Sequence, residues 1–545
     1  MKKLSLFLFL FAVINLSAQE KWFSGNLYTN SQYYVDDNET GDFSEEDRFR
    51  SNNYLKLDGG YGKFTFGIQV ESYLPQALLN FSPNFDKEIG LGTFYANFHS
   101  DKLDVTVGHF YEQFGSGLIL RSWEDKQLGI NNALRGAKVE ISPVSSLQLT
   151  GLYGNHRVGF DVSDGDIYGF DTEFNLSEAL KVENTNLNVG FSFVNRTQYI
   201  PNSSQNFDSS TNSFSGRVNF AKGNFYSNLE MVSKSEDALV EFGNVNTAKL
   251  AKGNALLFNT GFSKKGFGLD ATFRRIENMN FYSDREAEGN IYNEQIVNYL
   301  PSLTKQHDYG LSNIYVYQAQ SRLTYNPFGK AGEIGGQFDL FYNIKRGTAL
   351  GGKYGTKIAL NYATWYGLDA DYNISERSYD AEFLSFGKKY FTDVNVEVRK
   401  KWSKKWSSIF TFIDLFYNQR YIEETSGKVN ATIAVAESTY KITPTKSVRV
   451  EAQHLWTNDD KKDWWAATVE MNFSPRFTVF VSDMYNYGND IKKIHYYNVG
   501  GSYSKGSTRV ALNYGRQRGG LLCVGGVCRI VPESTGFGLT VSTSF

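Results

Sequence analysis

Two cysteines occur in the 545-residue chain, Cys523 and Cys528, within GRQRGGLLCVGGVCRIVPESTG. If Gly525 and Gly526 form a two-residue turn, Val524 faces Val527 and the cysteines face each other as the next pair out, placed for a cross-strand disulfide. A metal or redox pair has a different spacing and a histidine close by. The six histidines, at 99, 109, 156, 307, 454 and 495, show no zinc-like spacing. His109 beside Glu112 is the nearest approach to a hydrolytic cluster, and no nucleophile motif accompanies it, so no enzyme activity and no cofactor are expected. DVSDGDIYGFD, Asp161 to Asp171, only loosely matches the alternate carboxylates and fixed glycine of a calcium loop; a solvated hairpin is expected there, and no metal site.

A further set of charges stands near glycines, where a strand gives way to a loop: Arg121, Glu124, Arg135, Arg274, Arg275, Glu277, Arg285, Lys345, Arg346 and Lys353. In a pore, such residues could form a lumen constriction that sets selectivity. Equally, they could pair with one another and hold inward loops as a passive plug. The two readings stay level at this point.

The elements that would carry these residues have a period of two. In YGKFTFGIQVESYL, Phe64, Phe66, Ile68 and Val70 alternate with Thr65, Gly67, Gln69 and Glu71; in WAATVEMNF, Trp465, Ala467, Val469 and Met471 alternate with Ala466, Thr468 and Glu470. Charges at mid-strand on the second face require that face to be wet, whereas a sandwich would hide one face and expose the other to bulk water. The chain has 35 Tyr, 43 Phe and 50 Gly but only 9 Pro, and a mean hydropathy of -0.40. A transmembrane β-barrel has this profile, because only alternate residues must be apolar and the lumen stays polar.

Short connections at Asp58–Lys63, His99–Lys102, Ser142–Ser146, Ala221–Asn224, Ser263–Gly266, Ser403–Trp406, Thr443–Lys446, Ser474–Arg476 and Ser504–Ser507 alternate with long polar segments, among them Phe114 to Asn132, Ser235 to Lys249, Arg275 to Asp308 and Arg346 to Lys389. The long segments read as outer surface loops or projecting hairpins, the short ones as periplasmic turns. The fold class is therefore all-β: a large single-chain antiparallel transmembrane barrel of roughly 18 to 24 strands.

The ends fit that frame. MKKLSLFLFLFAVINLSAQE reads as a signal peptide over residues 1–18, leaving residues 19–545 as one barrel domain without a separate plug domain. In the closing TGFGLTVSTSF, Phe537, Leu539, Val541 and Phe545 lie on one face and small polar residues on the other. That face is expected against lipid, with Phe545 read by the barrel assembly machinery as a C-terminal signal. The last strand is expected to pair with the strand near Phe23 to Val35 and close the sheet. The cysteine hairpin should then stand on the outer side. A net charge of -2 gives no reason to expect nucleic acid.

Several long stretches resemble a family of exported outer-membrane barrels of Bacteroidota that carry a domain of unknown function: Gly108 to Gly136, Phe273 to Arg285, Asn298 to Gln320, Gly332 to Tyr362, Lys400 to Trp406, and the Cys523–Cys528 hairpin. The resemblance spans essentially the whole chain beyond the leader. It implies a multi-pass β-barrel in the Gram-negative cell outer membrane, with no settled activity. The expected function is a porin-like channel for small solutes; the alternative is a non-transporting accessory or structural subunit of an outer-membrane assembly, secretion or uptake complex. Expected partners are outer-membrane lipid, the assembly machinery during insertion and possible other outer-membrane proteins.

Overall fold

The computed structural model describes residues 21–545 apart from 86–87, 242–243, 289, 291–293, 325–328, 374, 377 and 525. The leader expected over residues 1–18 lies outside the described residues.

Twenty-four strands form one antiparallel sheet that closes on itself. Strand Lys21–Tyr34 pairs on one side with Phe49–Tyr61 and on the other with the last strand, Ser534–Ser544, in a register running from Asn26 opposite Ser544 to Tyr34 opposite Gly536. The closure expected from the C-terminal alternation is therefore present, and the strand number is the upper end of the expected range. Closing the sheet leaves no unpaired edge.

The alternation sorts side chains between the two faces. Phe410 and Phe412 are 45% and 49% exposed on the outer wall, while Thr411 and Ile413 between and after them are each 3% exposed on the inner one. Outer aromatics lie across glycines of neighbouring strands: a Cβ on Gly268 would fall 2.0 Å from the Phe341 ring, and one on Gly60 would fall 2.1 Å from Trp22 Nε1. Each of these glycines leaves the shelf on which the ring rests. Trp22, Tyr61, Trp402, Trp406, Tyr440 and Tyr503 stay exposed around the end of the barrel that carries the short turns.

All nine short connections read from the sequence lie at that end, together with the start of the first strand and the end of the last. Two more connections there lacked a tight-turn signature. One is the single helical turn Leu176–Ala179, whose first turn is capped by Asn175 Oδ1 accepting from Glu178 N–H at 2.9 Å. The other is residues 345–355.

The segment Arg346 to Lys389, expected as an outer loop or a projecting hairpin, divides: its first residues belong to the short-turn connection 345–355, and the paired strands Thr356–Asn373 and Ser378–Lys401 take up most of the rest as a hairpin of the wall. Their lumen side carries Ala363, Trp365 and Phe391, apolar because the barrel interior is filled, so the two-residue contrast that marks the other strands is lost. Likewise Ser235 to Lys249 lies largely within the paired strands Phe225–Glu241 and Asn244–Lys264.

Opposite the short turns, two connections fold into the barrel. Residues 111–133 bring Phe114, Ile119 and Leu120 into one cluster with Leu152, Ile167 and Val194 of the inner wall, and Phe281 and Val297 of the second segment join them. The described residues of 278–331 also reach the far side, where Leu311, Ile314, Tyr315 and Tyr317 pack against inner-wall Trp365, Ile413, Tyr417, Ile433 and Trp464. The barrel thus has a hydrophobic interior supplied by its own loops.

The cysteine hairpin pairs Gly520–Val524 with Val527–Val531, places Cys523 opposite Cys528 and carries a disulfide between them. It springs from the end opposite the short turns but bends back into the lumen, where Gly526 O accepts from Ser302 N–H at 2.9 Å.

Candidate functional site: the plugged lumen

The interior segments are held by buried polar contacts between them and the wall. Glu333, on the strand Gly332–Ile344, is 0% exposed and takes the Arg274 guanidinium from the neighbouring strand Phe267–Glu277. Its other oxygen accepts from Tyr317 OH and from Gln320 N–H at 2.8 Å, both on the inward segment. Arg274 Nη1 donates to Pro301 O at 2.6 Å, and its guanidinium lies 5.2 Å from the Trp365 ring centre. The Tyr317 ring stacks at 5.1 Å on Phe391 and 6.1 Å from Trp365. One wall ion pair therefore fixes the inward segment at residues 301, 317 and 320.

A second clamp lies on nearby strands of the same side of the wall, on Thr185–Thr197 and Phe225–Glu241. Asp237 takes Arg196 at 2.8 Å and Arg285 at 2.7 Å, the former from the wall and the latter from the inward segment. Arg196 Nη1 also donates to Tyr282 O at 2.8 Å, and Lys234 Nζ to Asn280 O at 2.8 Å. The segment runs so close to the wall here that a Cβ on Gly165 would fall 1.8 Å from Ser283 O. Residues 111–133 are held similarly. Ser116 N–H donates to Glu230 Oε2 at 2.9 Å, at a tip where Gly115 has φ +55° and a Cβ would come within 2.9 Å of Glu230 Oε1. Glu71 is held by Arg157 Nη1 at 2.8 Å and by Gln69 Nε2 at 2.7 Å; Gln69 also donates to Glu124 of the inward segment at 2.9 Å.

The buried charges in this arrangement are hydrogen-bonded, Glu71, Asp237 and Glu333 to arginines and Glu230 and Lys234 to neutral groups, and each of these carboxylates is shared between several donors. Taking one partner away leaves a buried charge uncompensated, which makes these pairs locks more than sources of net stability.

The structure separates the ten charges singled out in the sequence. Arg274 and Arg285 belong to the clamps above, and Glu124 to the third contact. Arg121 lies in the inward segment with its guanidinium 3.8 Å from the Tyr299 ring centre and 5.3 Å from that of Trp123. The other six are not brought to the lumen. Arg275 and Glu277 alternate with inward Arg274 and Ile276 and so face the outer wall, paired with each other at 2.7 Å and covered by Phe383 and Tyr379 of a neighbouring hairpin. Arg135 alternates with buried Leu134 and approaches Asp161 at 3.8 Å. Lys345, Arg346 and Lys353 are exposed on the connection 345–355 at the short-turn end. Spacing near glycines did not distinguish the two faces of a strand, and that is why these six fell in with the others.

Glu71, Arg157, Arg196, Glu230, Asp237 and Glu333 were missed. For Arg196 and Glu230 the alternation along the strand is a legible signal, whereas Arg157 follows buried His156 at a register shift and offers none; in addition, partners lie far away in sequence, Arg157 and Glu71 being 86 residues apart.

His109 and Glu112 go to different partners, His109 edge-on to Phe94 with ring centres 4.9 Å apart and Glu112 to Lys138 Nζ at 2.9 Å. The acids of Asp161 to Asp171 are likewise dispersed, with Asp166 accepting from Tyr153 OH at 2.9 Å and Asp171 taking Arg217 at 2.7 Å. Among the described residues no group of three or more histidine, cysteine or acidic side chains is placed to hold a metal ion.

Space remains on both sides of the plug. Towards the short turns, a cavity of about 370 Å³ is lined by Lys305, His307, Asp339, Glu397, Arg399 and Arg449. Towards the opposite mouth, one of about 650 Å³ lies between residues 280–330, the loop after Tyr417 and the cysteine hairpin.

Solved structures similar to this chain include the P pilus usher PapC translocation pore (TM-score 0.44, 9% identity, covering 96% of this chain and 99% of that one). They also include the siderophore receptor PirA from Pseudomonas aeruginosa (TM-score 0.40, 9% identity, 97% and 81%) and a BenF-like porin from Pseudomonas fluorescens Pf-5 (TM-score 0.34, 10% identity, 97% and 99%). These likenesses concern barrel architecture alone. No curated protein matches the sequence. A family profile matches residues 1–545, and the chain accordingly belongs to that family, DUF6029, a family of unknown function.

Proposed function

We propose that this protein is an outer-membrane β-barrel whose lumen is closed by its own inward segments, acting as a non-transporting structural or accessory subunit and not as an open porin. The membrane reading rests on a closed barrel with alternating exposed apolar side chains outside, an aromatic belt at the short-turn end and a leader-like N-terminus. The observation that carries the closed-lumen reading is the Arg274–Glu333 clamp, which ties the inward segment to the wall in an environment where both side chains are at most 1% exposed. An empty barrel of this strand number would enclose a wide aqueous channel. Here residues 111–133 and the described residues of 278–331 occupy that space with two hydrophobic clusters.

The test is liposome swelling with sugars of graded size, alongside fractionation of the native membranes. Co-fractionation with the outer membrane and no swelling above protein-free liposomes support the reading. Swelling like that given by an open porin would restore the channel, and recovery in the soluble fraction would remove the membrane assignment.

A further inference from the structure

The cavity of about 650 Å³ at the mouth opposite the short turns has an unbalanced lining. Four cations face it, Arg322, Lys330, Lys461 and Arg518, against two carboxylates, Glu423 and Glu424. Both carboxylates are already engaged, Glu424 by Lys330 at 3.2 Å and Glu423 by Tyr417 OH at 2.9 Å. Arg322, Lys461 and Arg518 form no ion pair among the described residues; Arg518 donates only to carbonyl oxygens, Gly519 O at 2.9 Å and Asn313 O at 2.8 Å. The nearby Glu533 is held by Lys492 and Tyr496 OH, each at 2.7 Å. Ile314, Ile422 and Leu521 give the same cavity an apolar side.

The geometry points to a binding site for a small organic anion, one with more than one acidic group on a partly apolar frame. The volume falls within the range of pockets that enclose such molecules, and three unpaired cations converging on a partly enclosed space favour negative charge there. The cations come from separate parts of the chain: Arg322 and Lys330 from the inward segment, Lys461 from the loop before Trp464, and Arg518 from the base of the cysteine hairpin. A bound anion would therefore tie these parts together, and would do so whether or not the barrel conducts.

Benzene-1,3,5-tricarboxylate serves as the probe, titrated by calorimetry into the full-length barrel in detergent, with the neutral benzene-1,3,5-tricarboxamide for comparison. Saturable one-to-one binding of the tricarboxylate is expected, weakened at least tenfold in the combined variant Arg322→Gln, Lys461→Gln, Arg518→Gln and unchanged by Lys404→Gln at the short-turn end. Retention of the heat-sensitive compact mobility of a folded barrel on gels checks that each variant is folded. No saturable binding, equal binding of the triamide, or undiminished binding in a folded triple variant would overturn the site. Swelling assays do not read this result, so failure of the anion site and failure of the closed-lumen reading are distinguishable.

Discussion

Replacing Glu333 by alanine should unlock the plug. The substitution removes the acceptor for Arg274, Tyr317 OH and the Gln320 amide at once, and leaves the Arg274 guanidinium buried without its counter-charge. Breaking a buried ion pair from one side costs about 3–5 kcal/mol. Because Tyr317 and Gln320 belong to the inward segment while Arg274 belongs to the wall, most of that cost falls on the docked arrangement. The equilibrium for local undocking should then rise about a hundredfold to a few thousandfold. Hydrogen exchange of the amides between Asn298 and Ser321 reads this directly, and single-barrel conductance reads it as opening events absent from the wild type. The double variant Arg274→Met, Glu333→Gln removes both charges and keeps an acceptor for Tyr317 and Gln320, so it should recover most of the protection. Unchanged exchange and unchanged conductance in Glu333→Ala would refute the clamp argument, and so would equal opening in the single and double variants.

Other consequences are independent of that clamp. Gly268→Val should lower barrel stability by about 1–3 kcal/mol, since the new side chain meets the Phe341 ring; the midpoint of the heat-induced gel shift should fall. Replacing both cysteines by serine releases a short closed loop worth about 2 kcal/mol in chain entropy, and exchange should quicken in Gly520–Val531 while the barrel strands stay protected. Burial raises the Glu294 carboxyl above its usual range, with Ser82 and Asn84 opposing only part of the shift. A raised carboxyl favours the folded state in its protonated form, so docking around residue 294 should be tightest below the unfolded carboxylate pKa and weaken as pH rises through the folded value. Glu294→Gln should abolish that pH dependence in proteolysis of the inward segment, and a retained dependence would contradict the assignment.

The barrel was legible because lipid-facing and lumen-facing positions alternate wherever the lumen side stays polar, as where Gln69 and Glu71 alternate with Ile68 and Val70. Short turns rich in glycine, lysine and serine marked one end for the same local reason. Legibility failed where the plug changes the environment. Around Trp365 the inner face is apolar, so the wall strands were not separated from the long segment that contains them. The direction of the long segments was equally hidden. Nothing local to Phe114 or Leu311 says whether an apolar residue in a loop faces lipid, solvent or the barrel interior; only the wall residues that receive it decide. For the charges, residue type was visible and partner was not, because Arg274, Pro301, Tyr317 and Glu333 meet only once the sheet has closed around the segment.

Planar-bilayer recording compares the full-length barrel with a variant whose residues 283–323 are replaced by a short Gly-Ser linker. The closed-lumen account expects no conductance steps from the full-length protein and large, stable steps from the shortened one. Porin-like steps from the full-length protein, of a size the deletion leaves unchanged, would contradict it.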